Sequence, residues 1–282
     1  MLKCLELKVD TFSQITKNKE VSIPFFQVDT FTSTLFKGNP AGVCILADWP
    51  PDNLLQSIAA ENNLAETAFV VQRSSFFELR WFTPVTEMDL CGHATLASAH
   101  VVFRHLGFRN STIRFESRSG LLTVGIDNQM LTLDFPSRPA ATCEAPPDLA
   151  SGLGVSPIHV AKSRDYLAVF ETEQAVRLLR PDMSVLMGLD CLGIIVTAPG
   201  DDCDFISRFF APRAGITEDP VTGSAHCTLI PYWSQRLGRS ALRARQISPR
   251  GGELFCEDRG ERVSIGGHAI TYSSGFLHCD LR

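Results

Sequence analysis

Long apolar runs are missing from this sequence. A typical one, Cys191–Ala198 (CLGIIVTA), falls far short of the roughly 18 residues needed to cross a bilayer. Positive charge is also scarce. Lys and Arg total 26 against 31 Asp and Glu, for a net charge of -5, and a surface so balanced does not suit a phosphate-backbone binder. An integral membrane protein and a dedicated nucleic-acid binder are therefore the classes disfavoured first. Paired cysteines are absent too. The nine cysteines are scattered, odd in number and never spaced CxxC, which fits a reduced protein with mostly buried thiols. There is no HExxH and no paired-histidine spacing for a metal, and no GxGxxG, P-loop or GxSxG for nucleotide, phosphoryl-transfer or serine-hydrolase chemistry. The N-terminus lacks an apolar signal core and carries Glu6, Asp10 and Glu20, so a cytoplasmic protein is expected.

What the chain does contain is ordinary globular material. With 282 residues, 44% of them hydrophobic and 20% charged, it is long enough for one large or two modest domains. Residues 1–22 read as a polar extension. Short runs rich in β-branched and aromatic residues predict strands at Ile23–Val28, Val43–Ala47, Thr67–Gln72, Phe76–Thr83, Ser111–Phe115, Leu121–Ile126 and Met130–Phe135. Pro51–Asn62 reads as an amphipathic helix. Gly92–His105 is apolar nearly all round, the signature of a helix buried inside a domain. Beyond it, strands are predicted at Tyr166–Phe170, Gly193–Ala198, Phe205–Ala211 and Arg262–Ile265, and a second buried helix from Thr222 to Leu237. The Pro-rich stretch Pro136–Pro147 (PSRPAATCEAPP) is the one linker-like composition. It divides a first domain (23–135) from a second (136–267).

The most informative feature is an internal duplication. Arg80-Trp81-Phe82-Thr83-Pro84 is echoed by Arg208-Phe209-Phe210-Ala211-Pro212. Each copy leads through a short acidic loop into a helix that opens with glycine: Cys91-Gly92-His93-Ala94-Thr95 in the first, Thr222-Gly223-Ser224-Ala225-His226 in the second. Two such halves would pack about an approximate two-fold axis, each wrapping strands round one buried helix, with the helix N-termini facing across a cleft. Helix N-termini offer free N–H groups and partial positive charge, so the expected ligand is a small carboxylate. The plainer alternative is that both glycines only permit tight strand-to-helix turns.

Four residues could carry chemistry. Glu66 falls between a helix end and an apolar strand, where nearby burial would raise its pKa and suit it to proton transfer; the alternative is a loop carboxylate capping a neighbour. Asp219, just before the second helix, could hold a substrate amine or hydroxyl, or cap the helix. His93 stands at a helix start that disfavours imidazolium, so a neutral ring is expected. Cys91 precedes the same helix, a position that lowers a thiol pKa; its counterpart in the second copy is Thr222.

These segments resemble the PhzF-like (phenazine biosynthesis-like domain) family of the diaminopimelate-epimerase-like superfamily. The matching stretches are DTFTSTLFKGNPAGV (29–43), NLAETAF (63–69), RWFTPVTEMDLCGHATLASA (80–99), RFFAPRAGITEDPVTGSAH (208–226) and RGGE (250–253). The wording of CGHATLASAH and EDPVTGSAHC looks most like the eukaryotic members. The resemblance implies an α+β fold of two pseudo-symmetric domains, each a β-barrel-like sheet wrapped round a central helix, with residues 268–282 crossing back to the first domain. It implies a homodimer that uses no metal or organic cofactor. It also implies that Glu66 shuttles a proton, that His93 and Asp219 hold and polarise substrate, and that Gly92, Gly223 and Ser224 bind its carboxylate. Ala65 departs from the pattern, since the isomerase that names the family has serine there.

Three functions are open at this point. The first is a cofactor-independent isomerase in which Glu66 moves a proton between two carbons of a small carboxylate. The second is a racemase or epimerase using Cys91; Thr222 in the second copy disfavours a two-thiol version. The third is a metabolite-binding or regulatory scaffold without turnover, with neither nucleic acid nor membrane as a partner.

Overall fold

The computed structural model describes residues 20–280. Residues 1–19 of the 1–22 extension lie outside the described residues, while 20–22 belong to the first strand. The chain forms two compact units. Among the described residues, unit 1 comprises those up to Asp29, Pro40–Leu131 and those from Ala269 on; unit 2 comprises Thr30–Asn39 and Thr132–His268. The architecture is α+β.

Unit 1 is built from β1 (Glu20–Thr30), β2 (Asn39–Leu46), α1 (Asp52–Asn62), β3 (Glu66–Gln72), β4 (Phe77–Phe82), β5 (Glu87–Met88), α2 (Gly92–Arg104), β6 (Thr112–Ser117) and β7 (Gly120–Asp127). The chain passes to unit 2 within β8 (Met130–Pro136). Unit 2 follows with β9 (Ala141–Thr142), α3 (Pro147–Leu153), β10 (His159–Lys162), β11 (Tyr166–Val169), α4 (Glu173–Leu178), α5 (Met183–Leu186), β12 (Ile194–Pro199), β13 (Phe205–Phe210), α6 (Gly223–Leu237), β14 (Ala241–Gln246), β15 (Gly252–Asp258) and β16 (Arg262–Gly267). The last strand, β17 (Ala269–Asp280), belongs to unit 1 and pairs with β1. None of the described helices is long and apolar enough to cross a membrane.

The duplication is written into the strand pairing. In unit 1, β2 runs parallel to β3, β3 antiparallel to β4, and after α2 the chain returns as β6, parallel to β4 and antiparallel to β7. In unit 2, β11 is parallel to β12, β12 antiparallel to β13, and after α6 the chain returns as β14, parallel to β13 and antiparallel to β15. The acidic loops have the same job in both copies. Arg80 donates from Nε and Nη2 to the two carboxylate oxygens of Glu87 at 2.7 and 2.8 Å. Arg208 does the same to Glu218 at 2.8 and 3.0 Å. Each guanidinium also lies over the phenylalanine two residues on, Phe82 at 5.1 Å and Phe210 at 4.9 Å. A planar, always-charged fork suits both contacts at once.

The two central helices are buried because their sequences leave little polar surface to solvate. Ten residues of α2 are buried, from Gly92 to Val102, including Leu96, Val101 and Val102. Eight residues of α6 are buried, among them Leu229, Ile230 and Trp233. Leu55 and Ile58 of α1 pack with Phe69, Val71 and Phe82 in one cluster of the unit 1 core. Leu149, Leu153, Val176 and Leu186 of α3–α5 pack with Val196, Ile206 and Phe210 in one cluster of unit 2. The Pro-rich stretch is not a bare linker. It contains β9, which pairs with β10 through Ala161 and Lys162, and leads into α3 with Pro147 in its first turn, where proline costs no hydrogen bond.

Candidate active site

In unit 1, two elements bring three reactive side chains together. Glu66 is the first residue of β3, held by its pairing opposite Ala41. Cys91 and His93 flank the first residue of α2, where Cys91 is the extended N-cap residue (φ -139°, ψ 112°). The backbone N–H and the hydroxyl of Thr95 both donate to the Cys91 carbonyl, at 3.1 and 2.6 Å, which fixes the strand-to-helix turn. The imidazole lies between the other two groups. Its Nε2 is 3.0 Å from Glu66 Oε2 and its Nδ1 is 3.5 Å from Cys91 Sγ.

All three residues are buried, with Glu66 at 8% and His93 at 5% exposure. The Glu66–His93 contact is a close charge pair rather than an aligned hydrogen bond. Neither Glu66 Oε2 nor His93 Nε2 has a hydrogen-bond partner of standard geometry among the described residues. Burying polar atoms without well-formed hydrogen bonds carries a desolvation cost.

The electrostatics depart from what the helix start alone suggests. Burial works against the imidazolium, but the Cys91 and Glu66 side chains outweigh it and hold His93 well above its ordinary range. Side-chain partners at 3.5 and 3.0 Å thus act on the ring more strongly than a helix terminus worth about half a charge. Cys91 also goes the other way. Burial and the neighbouring Glu66 push its thiol up, despite the opposing pull of His93 and the Ala94 amide. It is not the activated thiolate that its position at a helix start suggests.

In unit 2, Asp219 sits in a different environment. Asn39 Nδ2 donates to its Oδ1 at 2.8 Å, and Thr222 Oγ1 donates to its Oδ2 at 2.6 Å. Gln246 closes the network. Its side-chain amide donates to the Asp219 carbonyl at 2.7 Å and to Thr222 Oγ1 at 3.1 Å, while its Oε1 accepts the Thr222 N–H at 2.9 Å. Gly223 opens α6 and is buried; Ser224 is half-buried and its hydroxyl accepts from Arg164 Nη2 at 3.2 Å. Arg164 is itself anchored on Asp165 at 2.7 Å. Asp219 thus anchors the loop ahead of α6 through its side chain. Asn39, Gln246 and Arg164 were not singled out in the sequence as site residues. Asn39 lies inside the family-like stretch 29–43, so that segment was the available signal; Gln246 and Arg164 lie in no recognisable motif.

Comparison with known proteins agrees with this architecture. The profile of the phenazine biosynthesis-like proteins (PhzC-PhzF) matches residues 28–275. The chain belongs to the PhzC-PhzF family. It is similar to an uncharacterized isomerase of Pseudomonas aeruginosa, 49% identical over 92% of this chain and 100% of that one. It is also similar to phenazine biosynthesis-like domain-containing protein 1 of Mus musculus, 40% identical over 91% of this chain and 99% of the relative. By overall identity the bacterial relative is the nearer of the two. Among solved structures, a PhzF-family protein of Enterococcus faecalis superposes with a TM-score of 0.90 at 45% identity, covering 92% of this chain and 100% of that one. In this PhzC-PhzF chain the three reactive groups of unit 1 are contributed by β3 and by the turn into α2.

Proposed function

We propose that this protein is a cofactor-independent isomerase of a small carboxylate metabolite, with Glu66 as the proton carrier. The observation that carries the reading is the Glu66–His93 pair: two buried groups at 3.0 Å whose facing atoms have no other partner among the described residues. Membership of the PhzC-PhzF family and the isomerase name of the Pseudomonas relative support it.

The chemistry follows from the charges. Glu66 takes a proton from a carbon made acidic by an adjacent carbonyl or conjugated acid. His93 donates a hydrogen bond to the oxygen where negative charge develops. Glu66 then returns the proton to another carbon on the same face. The α2 start assists with its backbone: its N-cap makes no side-chain capping hydrogen bond, so the amides around Gly92 are available to an anion. In this reading Asp219, Gly223 and Ser224 also hold the substrate, as the family resemblance suggests, and the protein is a cytoplasmic homodimer.

A second reading, an epimerase using Cys91, is favoured by the 3.5 Å contact between its sulfur and His93, but its raised thiol disfavours the thiolate such a base needs. Incubation in heavy water with a panel of cyclic, dienyl and aliphatic carboxylates, followed by mass spectrometry, tests both. The isomerase reading requires deuterium uptake that Glu66→Gln abolishes and Cys91→Ser largely keeps. Loss of uptake in Cys91→Ser with retention in Glu66→Gln overturns it in favour of the epimerase.

A further inference from the structure

We infer that Glu66, Cys91 and His93 form a binding site for a borderline-soft divalent cation of the zinc type, and that such an ion switches the enzyme off. One donor atom from each residue lies within 4.8 Å of the other two, and all three residues are buried. No spacing in the sequence signals this cluster, because the carboxylate comes from β3 and the other two donors from the α2 turn.

The cluster is close to ligand geometry. Zinc bonds of about 2.3 Å to sulfur and 2.0–2.1 Å to nitrogen or oxygen place tetrahedral donors about 3.3–3.6 Å apart. Whichever ring nitrogen takes the ion, one contact is already near that spacing: 3.0 Å from Nε2 to Glu66 Oε2, or 3.5 Å from Nδ1 to Cys91 Sγ. The remaining donor lies within 4.8 Å of the other two and has to close by about 1.5 Å or less. A second, independent observation also points to a ligand. Glu66 Oε2 and His93 Nε2 are both shut off from solvent and have no hydrogen-bond partner among the described residues.

The charges match as well. A Cys91 thiolate and a Glu66 carboxylate carry two negative charges, which neutralise a divalent ion, and His93 binds as the neutral imidazole. Binding therefore releases the thiol proton and the imidazolium proton to solvent. Sulfur and nitrogen donors select zinc or cobalt over magnesium and calcium, which demand oxygen. Three protein ligands leave a fourth position for water or a substrate carboxylate. The inhibitory part rests on the isomerase reading: a Glu66 lone pair bonded to a metal cannot take a proton.

The test uses the full chain, reduced and freed of metal, titrated with Co2+. The site predicts one tightly bound equivalent with the visible bands of four-coordinate cobalt and a near-ultraviolet thiolate-to-cobalt charge-transfer band. Cys91→Ser should abolish that band, and Glu66→Gln and His93→Gln should each weaken binding at least about tenfold. Zn2+ should displace the cobalt and Mg2+ should not. Circular dichroism and melting confirm that each variant is folded, and Cys91→Ala serves if Cys91→Ser is not. A charge-transfer band that survives in Cys91→Ser, or its absence from the parent protein, overturns the site. Deuterium exchange by the metal-free protein is read separately. Cobalt bound as described without any exchange sinks the isomerase reading and leaves the site standing. Exchange that continues in the zinc-loaded protein overturns the inhibitory part.

Discussion

The two units carry the same run of strands and a central helix, yet they treat the start of that helix in opposite ways. At α2, a carboxylate, an imidazole and a thiol crowd together with two facing atoms left unsatisfied. At α6, the corresponding turn has been tied down: Asp219 accepts from Asn39 and Thr222, and Gln246 completes the ring of bonds. The register locates the divergence. Thr67 pairs with Phe82 in unit 1 and Ile194 with Phe210 in unit 2, so the position of Glu66 at the head of β3 is taken by Gly193 before β12. Gly193 has no room for a side chain, since a Cβ there would lie 2.2 Å from the Phe209 ring. The same scaffold thus holds a buried carboxylate–imidazole pair in one copy and a packed, hydrogen-bonded turn in the other.

That contrast can be broken at several points. The largest effect is expected from Glu66→Gln, which keeps the shape but removes the base; turnover should fall about 10²–10⁴-fold, read by proton exchange at saturating substrate. The bidentate Arg80–Glu87 and Arg208–Glu218 pairs are largely shielded in both units. Replacing Glu218 with alanine leaves Arg208 only the Val176 and Leu179 carbonyls among the described residues and should cost roughly 3 kcal/mol in urea unfolding, whereas Glu87→Ala leaves Arg80 its Asp52 partner at 2.8 Å and should cost less. Equal losses would show that Asp52 gives Arg80 no support.

Acidification probes a half-buried histidine in unit 1 and a buried one in unit 2. Burial lowers His100 to about 4, with His105 and Arg104 adding to the effect. Burial likewise lowers His226 to about 4, partly offset by its bond to the Thr222 carbonyl. Both folded-state values lie below the ordinary 6.5, so the unfolded chain binds more protons in that window. Stability should therefore decline as pH falls from about 6.5 toward 4, by up to roughly 3 kcal/mol for each group. Denaturation midpoints across that range check the sign; a flat profile would show that these rings are already charged in the fold. A smaller loss, about 1–3 kcal/mol, is expected from Gln246→Ala, which leaves the Thr222 amide without its acceptor, and from Gly193→Ala, which forces a methyl against Phe209.

Much of this organisation is legible in the sequence, for identifiable reasons. The repeated Arg-aromatic-Phe-x-Pro run and the two glycine-opened helices display the duplication; β3 and β12 announce themselves by apolar, β-branched runs, and β4 and β13 by their aromatic residues. Other elements hide. β14 (ALRARQ) alternates buried and exposed residues, but its exposed arginines pair with Asp202 and Glu253, so it reads as a polar stretch. β17 is exposed along much of its length and carries Ser273, Ser274 and Gly275, which look like a loop. Within the site, Cys91 and His93 are visible as neighbours, whereas their meeting with Glu66 depends on strand pairing. The upward push on His93 is hidden for the same reason, because Cys91 and a carboxylate brought in from β3 work against the influence of the helix start.

The most direct measurement is a side-by-side exchange experiment in heavy water with the parent protein, Glu66→Gln and Asp219→Asn, on whichever carboxylate the panel selects. The account predicts no label uptake by Glu66→Gln, while the same substrate still raises its melting temperature, and reduced but measurable uptake by Asp219→Asn. Uptake by Glu66→Gln at the parent rate would contradict the assignment of the proton carrier to unit 1.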